Sequence, residues 1–377
     1  MMRRSCLWRW AAALCLVTLG QVHAAEPIVI GQSLGLLPPD RQTQEVLAGT
    51  AAYVEAVNAR GGIGGRRLRL ITLDDGNVPA RHAQNLRKLV NEERAVAIVN
   101  CVGEAICRVA ASVVNELRVP LVGVQTGSAG VSHRTNAYVF RIRPTWEKEA
   151  DTVVLQLKAQ GLARAALVTD QLIETEPLKW LRAAATRHAL ALETVPLSAT
   201  TPEAFKQLMA TFSQKGFQAA VLELQPTTIE AIRAAGVDAL PEWPLTLMAM
   251  SSVSLDYLRT GFPKRVIGYT TVVPNPESTA VSLSTELRRY AETNAVSGGY
   301  VAVTTTGLES YISLKVLADA LRRSSPGKPG EAERLLSALE GMNGVDLGGY
   351  NISFASGKAS GSDFVEMAFR ARQGAAR

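Results

Sequence analysis

Few residues in this chain have types and spacing that could do chemistry. Gly31-Gln32-Ser33-Leu34-Gly35 has the G-x-S-x-G spacing of a nucleophile elbow, where a serine at a strand-to-helix turn attacks an ester or amide carbonyl. The elbow needs a helix directly after the serine, and Pro38-Pro39 follows instead. A secreted hydrolase using Ser33 is therefore a minor reading beside a serine near a ligand or a plain strand-to-helix loop. Asp74-Asp75 could share a proton or a metal, but neighbours on a strand point to opposite faces. A strand end that caps the next turn is the stronger reading. His82, His133 and His188 are scattered, with no partner at metal-ligand spacing, so neither a metal nor a cofactor is expected. Gly61-Gly62-Ile63-Gly64-Gly65 lies between a helix and a strand, the reverse of a dinucleotide fingerprint, and lacks the Lys-Ser/Thr of a phosphate loop. Trp146, Trp180 and Trp243 read first as buried structural residues, with Trp146 also a candidate for a hinge or cleft.

The first 24 residues set the compartment. Three arginines and no acid precede the apolar run from Ala11 to Leu19, and Val22-His23-Ala24 offers small residues at the −3 and −1 positions of a cleavage site. This is the pattern of a cleavable signal peptide, and the run is too short to span a bilayer. Leu14 before Cys15 argues against a lipid anchor. The mature chain is expected to start at Ala25 and to work in the periplasm. The net charge of +6 includes the three leader arginines, leaving +3 on the mature chain. Its basic residues are dispersed, without interleaved aromatics, so no nucleic-acid partner is expected.

Cleavage leaves two cysteines, Cys101 and Cys107. An oxidising compartment permits a disulfide. Six residues along one helix rise about 9 Å, beyond the roughly 7 Å reach of a bridge, so one cysteine would have to sit in a turn. The other reading is two small buried apolar residues.

These residues hang on alternating strands and helices. Strands are predicted at Ile28–Ile30, Leu68–Leu73, Val96–Val99 and Leu121–Val124, with helices at 42–59, 80–92 and 105–117. A last, more exposed strand is expected at Tyr138–Arg143. The alternation restarts with helices at 147–160, 177–188, 203–214 and 227–235, and strands at Ala165–Val168, 192–197, Ala219–Leu224 and Leu245–Ala249. Val266–Val272 leaves this unit, helices at 280–294 and 301–322 return to cover the first, and a closing hairpin is expected at 350–354 and 363–370. The fold class is α/β, two Rossmann-like lobes with parallel sheets covered by helices and a cleft between them. The expected division is 25–143 plus 271–346 for lobe one and 144–270 plus 347–377 for lobe two, hinged near Arg143-Pro144 and Tyr269-Thr270. Binding loops belong at the carboxyl ends of the strands.

The run Ala56-Val57-Asn58-Ala59-Arg60-Gly61-Gly62-Ile63-Gly64-Gly65-Arg66, with Asp74-Asp75-Gly76, Val119-Pro120-Leu121-Val122-Gly123, Thr126-Gly127, Tyr138-Val139-Phe140-Arg141 and Leu347-Gly348-Gly349-Tyr350 in that order, resembles type I periplasmic solute-binding proteins of ABC importers. It is similar to their branched-chain amino-acid-binding group. The resemblance spans nearly all of 28–370. It implies a hinged pair of lobes that close on a small solute, an amino acid or an organic or aromatic acid, and deliver it to an inner-membrane ABC permease. No catalysis is implied, and a monomer is expected.

The resemblance also implies site residues. In lobe one the ligand carboxylate would be held by Thr126, Gly127 and Ser128, and by the loop at Gly103, Glu104 and Ala105, with Ser33 near the cleft. Glu104 departs from the family's small hydroxyl residue. In lobe two Glu174 stands where an aromatic residue is expected, Gln225 near another such position, and Ser251 or Ser252 where classical members carry an acid for the α-ammonium. An ordinary branched-chain amino acid is therefore not expected, unless Glu104, Glu174 or Glu223 supplies the counter-charge. A sensor presenting ligand occupancy to a membrane receptor would use the same cleft.

Overall fold

The computed structural model describes residues 26–37, 39–236, 245–262, 266–296, 303–324, 331–354, 358 and 360–370. The leader, Cys15 and Trp243 lie outside these residues. β1 (Ile28–Leu34), α1 (Arg41–Ala59), β2 (Leu68–Asp74), α2 (Pro79–Asn91), β3 (Ala97–Val102), α3 (Glu104–Leu117), β4 (Leu121–Gln125) and β5 (Val139–Phe140) come first. Their strands form a parallel sheet of order β2-β1-β3-β4-β5. The alternation resumes with α4 (Trp146–Ala159), β6 (Arg164–Thr169), α5 (Glu176–Arg187), β7 (Ala191–Pro196), α6 (Pro202–Lys215), β8 (Ala219–Glu223), α7 (Pro226–Ala234), β9 (Thr246–Ala249), α8 (Leu255–Gly261) and β10 (Ile267–Thr271). The chain ends with α9 (Ser282–Val296), α10 (Thr305–Ser324), α11 (Glu331–Glu340), β11 (Val345–Asp346), β12 (Asn351–Ile352) and β13 (Glu366–Arg370). The second sheet runs β13-β10-β9-β8-β6-β7, parallel except for β13, which pairs antiparallel with β10.

Each sheet is buried on both faces, which is why its strands read as apolar runs. In β1, Ile28 and Ile30 pack with residues of α1 and α10, while Val29 packs with residues of α2 and α3. Residues of α4 and α5 fill one face of the second sheet and residues of α6 to α8 the other. α1 and α10 touch so closely that a Cβ on Gly49 would lie 2.0 Å from the Gly307 carbonyl oxygen. Only glycine fits there.

One backbone irregularity decides the cysteine question. Ala97 and Val99 face the α1 side of the sheet, and simple alternation would put Cys101 with them. Asn100 instead has φ +54°, in the left-handed region that asparagine tolerates. The turn it makes sends Cys101 to the opposite face, among residues of α3. There it bonds Cys107, one turn into α3, with a Cα–Cα distance of 5.2 Å.

Four sequence expectations need correction. The short β5 is not exposed, because Val139 and Phe140 are fully buried and Phe354 packs edge-on to Phe140 at 5.1 Å. The closing hairpin does not form. β12 pairs with β11, while β13 joins the second sheet. Leu347, Tyr350, Ile352 and Phe354 bury in the first core, so residues 347–354 pack with lobe one and not with lobe two. Finally, Tyr269 and Thr270 sit inside β10, paired to β13, with Tyr269 paired to β9 as well. The chain leaves the second sheet after them. Tyr350 ties this exit to the earlier crossing, its hydroxyl lying 2.9 Å from the Ile142 carbonyl oxygen and 3.1 Å from that of Val272.

Candidate functional site

The loops at the carboxyl ends of the two sheets face each other. The loop after β4 holds Thr126, Gly127 and Ser128, all close to α4 and α5. The Trp146 amide donates to the Gly127 carbonyl at 3.0 Å, and a Cβ on Gly127 would meet the Trp146 ring at 2.5 Å. Ser128 Oγ donates to Glu176 Oε2 at 2.5 Å, and the Ala129 amide donates to Glu176 Oε1 at 2.8 Å. Trp180 Nε1 donates to the same carboxylate at 3.2 Å. Burial alone would raise the Glu176 pKa. The bonds from Ser128, Ala129 and Trp180, with Arg108 nearby, outweigh it and hold the carboxyl below its usual range. Glu176 also stands in the first turn of α5, where the helix dipole favours an anion. Arg141 braces the loop from beneath, fully buried and donating to the carbonyls of Ser128 and Val131. Burial, with Arg143 adding to it, brings its pKa down to about 10.

Deeper between the sheets lies a second polar group. Glu149 of α4 is fully buried. It accepts bonds from the Ser251 amide (3.0 Å), Ser251 Oγ (2.8 Å) and Thr270 Oγ1 (2.5 Å). Arg143 stands 3.8 Å from Glu149 and 3.6 Å from Glu309 of α10, and it donates to Ser251 Oγ. Burial raises the Glu309 pKa, against the pull of Arg143. Glu223, at the end of β8, accepts from Ser252 Oγ at 2.7 Å. Burial pushes its pKa up to about 8, with Glu149 and Asp170 adding to the effect.

Two adjoining cavities open here. One, of about 100 Å³, is lined from lobe one by Gln42, Gln125, Thr305 and Glu309, from the second lobe by Ser251 and Thr270, and at the crossing between them by Arg143. The other, of about 360 Å³, is lined by Glu45, Asn275, Glu277, Thr304, Glu366 and their neighbours. Tyr269, Thr271, Ser254, Leu255, Thr305 and Thr306 border both.

The expected site residues do not converge on one point. Ser251 borders the smaller cavity. Ser33 is buried, donating to Asp75 Oδ2 at 3.0 Å and accepting from Asn85 at 3.0 Å. His82 bonds the same Asp75 oxygen at 2.7 Å, so the histidine holds the aspartate and not the serine, and no nucleophile–base pair forms. Asp74 and Asp75 do cap the following turn, accepting from the amides of Gly76 and Asn77. Gly103 caps α3 at φ +82°, and Ala105 follows inside the helix. Glu104 pairs with Arg108 and Glu174 with Arg182, while Gln225 is exposed at the start of α7. Sequence reasoning missed Glu149, Glu176, Thr271 and Glu309. Among the described residues, no group of three His, Cys, Asp or Glu could hold a metal ion, and no helix is long and apolar enough to cross a membrane.

Known proteins share this architecture. Residues 39–364 match the periplasmic binding protein family. A substrate-binding periplasmic protein from Ralstonia solanacearum superposes with a TM-score of 0.74 at 26% identity, covering 90% of this chain and 96% of its own. A possible leucine/isoleucine/valine-binding protein from Rhodopirellula baltica gives 0.73 at 21% identity, covering 93% and 98%. The branched-chain amino acid transporter substrate-binding protein LivJ from Streptococcus pneumoniae, in complex with isoleucine, gives 0.69 at 17% identity, covering 88% and 92%. No curated protein sequence matches the chain. Its two helix-covered sheets and the cleft between them belong with those relatives: the chain is a member of the periplasmic binding protein family.

Proposed function

We propose that this protein captures a small polar solute in the periplasm, in the cleft between its lobes, and delivers it to an inner-membrane ABC permease. The observation that carries the reading is the pair of polar cavities lined from both lobes. The Ralstonia relative, named as a substrate-binding periplasmic protein, supports it. Binding would proceed without catalysis, in a monomer. Lobe closure about the crossings at 141–145 and 272–281 would remove the solute from water, where each polar contact is stronger.

Thermal-shift and calorimetric titration of the mature chain against amino acids, amines, organic acids and sugars tests this. A ligand at 100 times its dissociation constant adds about 2.7 kcal/mol of stability. A saturable response to one class is expected. A flat response to every compound would refute capture.

A further inference from the structure

The loop after β4 offers donors to a carboxylate, and the carboxylate it holds is the chain's own. Ser128 is fully buried, and its Oγ lies 2.5 Å from Glu176 Oε2 and 3.4 Å from Glu104 Oε1. A hydroxyl has one proton to donate, and the shorter contact assigns it to Glu176. The Ala129 amide donates to the other Glu176 oxygen at 2.8 Å. Consecutive residues of lobe one thus grip both oxygens of a carboxylate from lobe two, as they would grip a bound anion. The sequence expectation gave this loop to a solute's carboxylate. Glu176 stands in that place.

The surroundings favour negative charge there. Arg141 is fully buried beneath the loop and donates to the Ser128 carbonyl. A buried guanidinium is costly without a counter-charge. Burial and then Arg143 lower the Arg141 pKa, and Glu176 leads the acids that oppose them. Arg108 lies against the same loop, since a Cβ on Gly130 would meet its Nη1 at 3.2 Å. Its charge is answered by Glu104. One donor beside the loop is unspent. The Trp146 ring packs on Gly127, and its buried Nε1 has no hydrogen-bond partner among the described residues.

We propose that the loop after β4 is an anion site of lobe one, with Ser128 Oγ and the Ala129 amide as donors over Arg141, and that Glu176 fills it as a tethered internal ligand. Glu176 then determines specificity. A solute acid reaches these donors only by displacing it. With Glu176 removed, the loop takes a small free carboxylate. The assignment rests on the two sheets forming lobes that meet at a cleft, and is independent of which solute the cavities take.

Chemical rescue tests it. A tether holds Glu176 at an effective concentration in the millimolar range or above, so free carboxylate should act only at such concentrations. Acetate and formate at pH 7 should raise the melting temperature of Glu176→Ala saturably. Acetamide, their neutral counterpart, and sodium chloride should not. The same acetate titration should contract the variant in small-angle scattering and leave the parent unchanged. Adding Ser128→Ala to Glu176→Ala removes a donor to the charge and should weaken acetate at least tenfold. Glu176→Ser leaves the same vacancy and stands in should Glu176→Ala not fold. Equal responses from parent and variant would show that Glu176 does not occupy the site. A variant indifferent to acetate would show that the loop is no anion site. A response untouched by Ser128→Ala would put the acetate elsewhere. Each of these three overturns the proposal. None bears on solute capture, which is read from the parent's own response to its solute.

Discussion

Glu176 joins the two lobes directly, and removing it should loosen them by a calculable amount. Its carboxylate takes hydrogen bonds from Ser128 Oγ, the Ala129 amide and Trp180 Nε1. The first two cross from lobe one to lobe two. A bond to a charged group contributes about 1.5–3 kcal/mol when well buried, and less where water screens it. Glu176 is half-buried, so we set the two crossing bonds together at about 2–3 kcal/mol. Glu176→Ala should then shift the open-to-closed ratio about 30- to 150-fold toward open. Glu176→Gln keeps an acceptor for the Ala129 amide and should shift it about tenfold or less. The sign with pH follows from the depressed pKa. The contribution is complete above the usual carboxylate value of 4.5 and fades as pH falls through it toward the lower value in the fold. Small-angle scattering of ligand-free protein at pH 7 is the assay. A larger radius of gyration for Glu176→Ala, with Glu176→Gln between it and the parent, is expected. Superimposable profiles for all three would show that the contact carries no closing energy.

Two further outcomes are expected. Glu223 has a folded pKa of about 8 against an ordinary 4.5, so its contribution to stability is present below pH 4.5 and is lost as pH rises toward 8, at up to about 1.4 kcal/mol per pH unit. Glu223→Gln should flatten that part of the melting-temperature profile between pH 5 and 8, and an unchanged slope would contradict the burial argument. Opening the Cys101–Cys107 bridge should cost about 2 kcal/mol, since the closed loop is short. Urea unfolding with and without dithiothreitol measures this, and equal midpoints would show that the bridge adds nothing.

Much of the architecture was legible because its signals are local. Runs such as Ala219–Glu223 and Leu121–Gln125 are apolar on both faces, as a doubly covered strand must be, and Gly61-Gly62 stops α1 where expected. The polar site was less legible because its partners are distant in sequence. Glu176 meets Ser128 across 48 residues, and Glu309 meets the distant Arg143 at the lobe crossing; neither pairing leaves a local pattern. Glu149 and Glu309 sit on helices, where an acid normally marks a solvated face. Residues 350–354 misled for a related reason. Their alternation suits a strand, but whether Ile352 and Phe354 bury in one core or the other depends on where β13 attaches, 12 residues beyond Phe354. Asn100 gave no warning that it would reverse the facing of Cys101.

The contact of Gly49 with Gly307 has a kinetic consequence. The two glycines are 258 positions apart, so the face of β1, β3 and β4 that carries Ile28, Ile30, Val99 and Val122 is covered only in part, by α1, until α10 arrives. β6 to β10 lie in one unbroken stretch and lack only the edge strand β13. Closing a long loop costs entropy before its contacts repay it. The middle of the chain is therefore set to organise first, while the amino-terminal third waits, aggregation-exposed, for the carboxyl-terminal third. Deleting the chain from α10 onward would strip one face of the first sheet of part of its cover, and the damage would appear some 250 positions upstream of the cut.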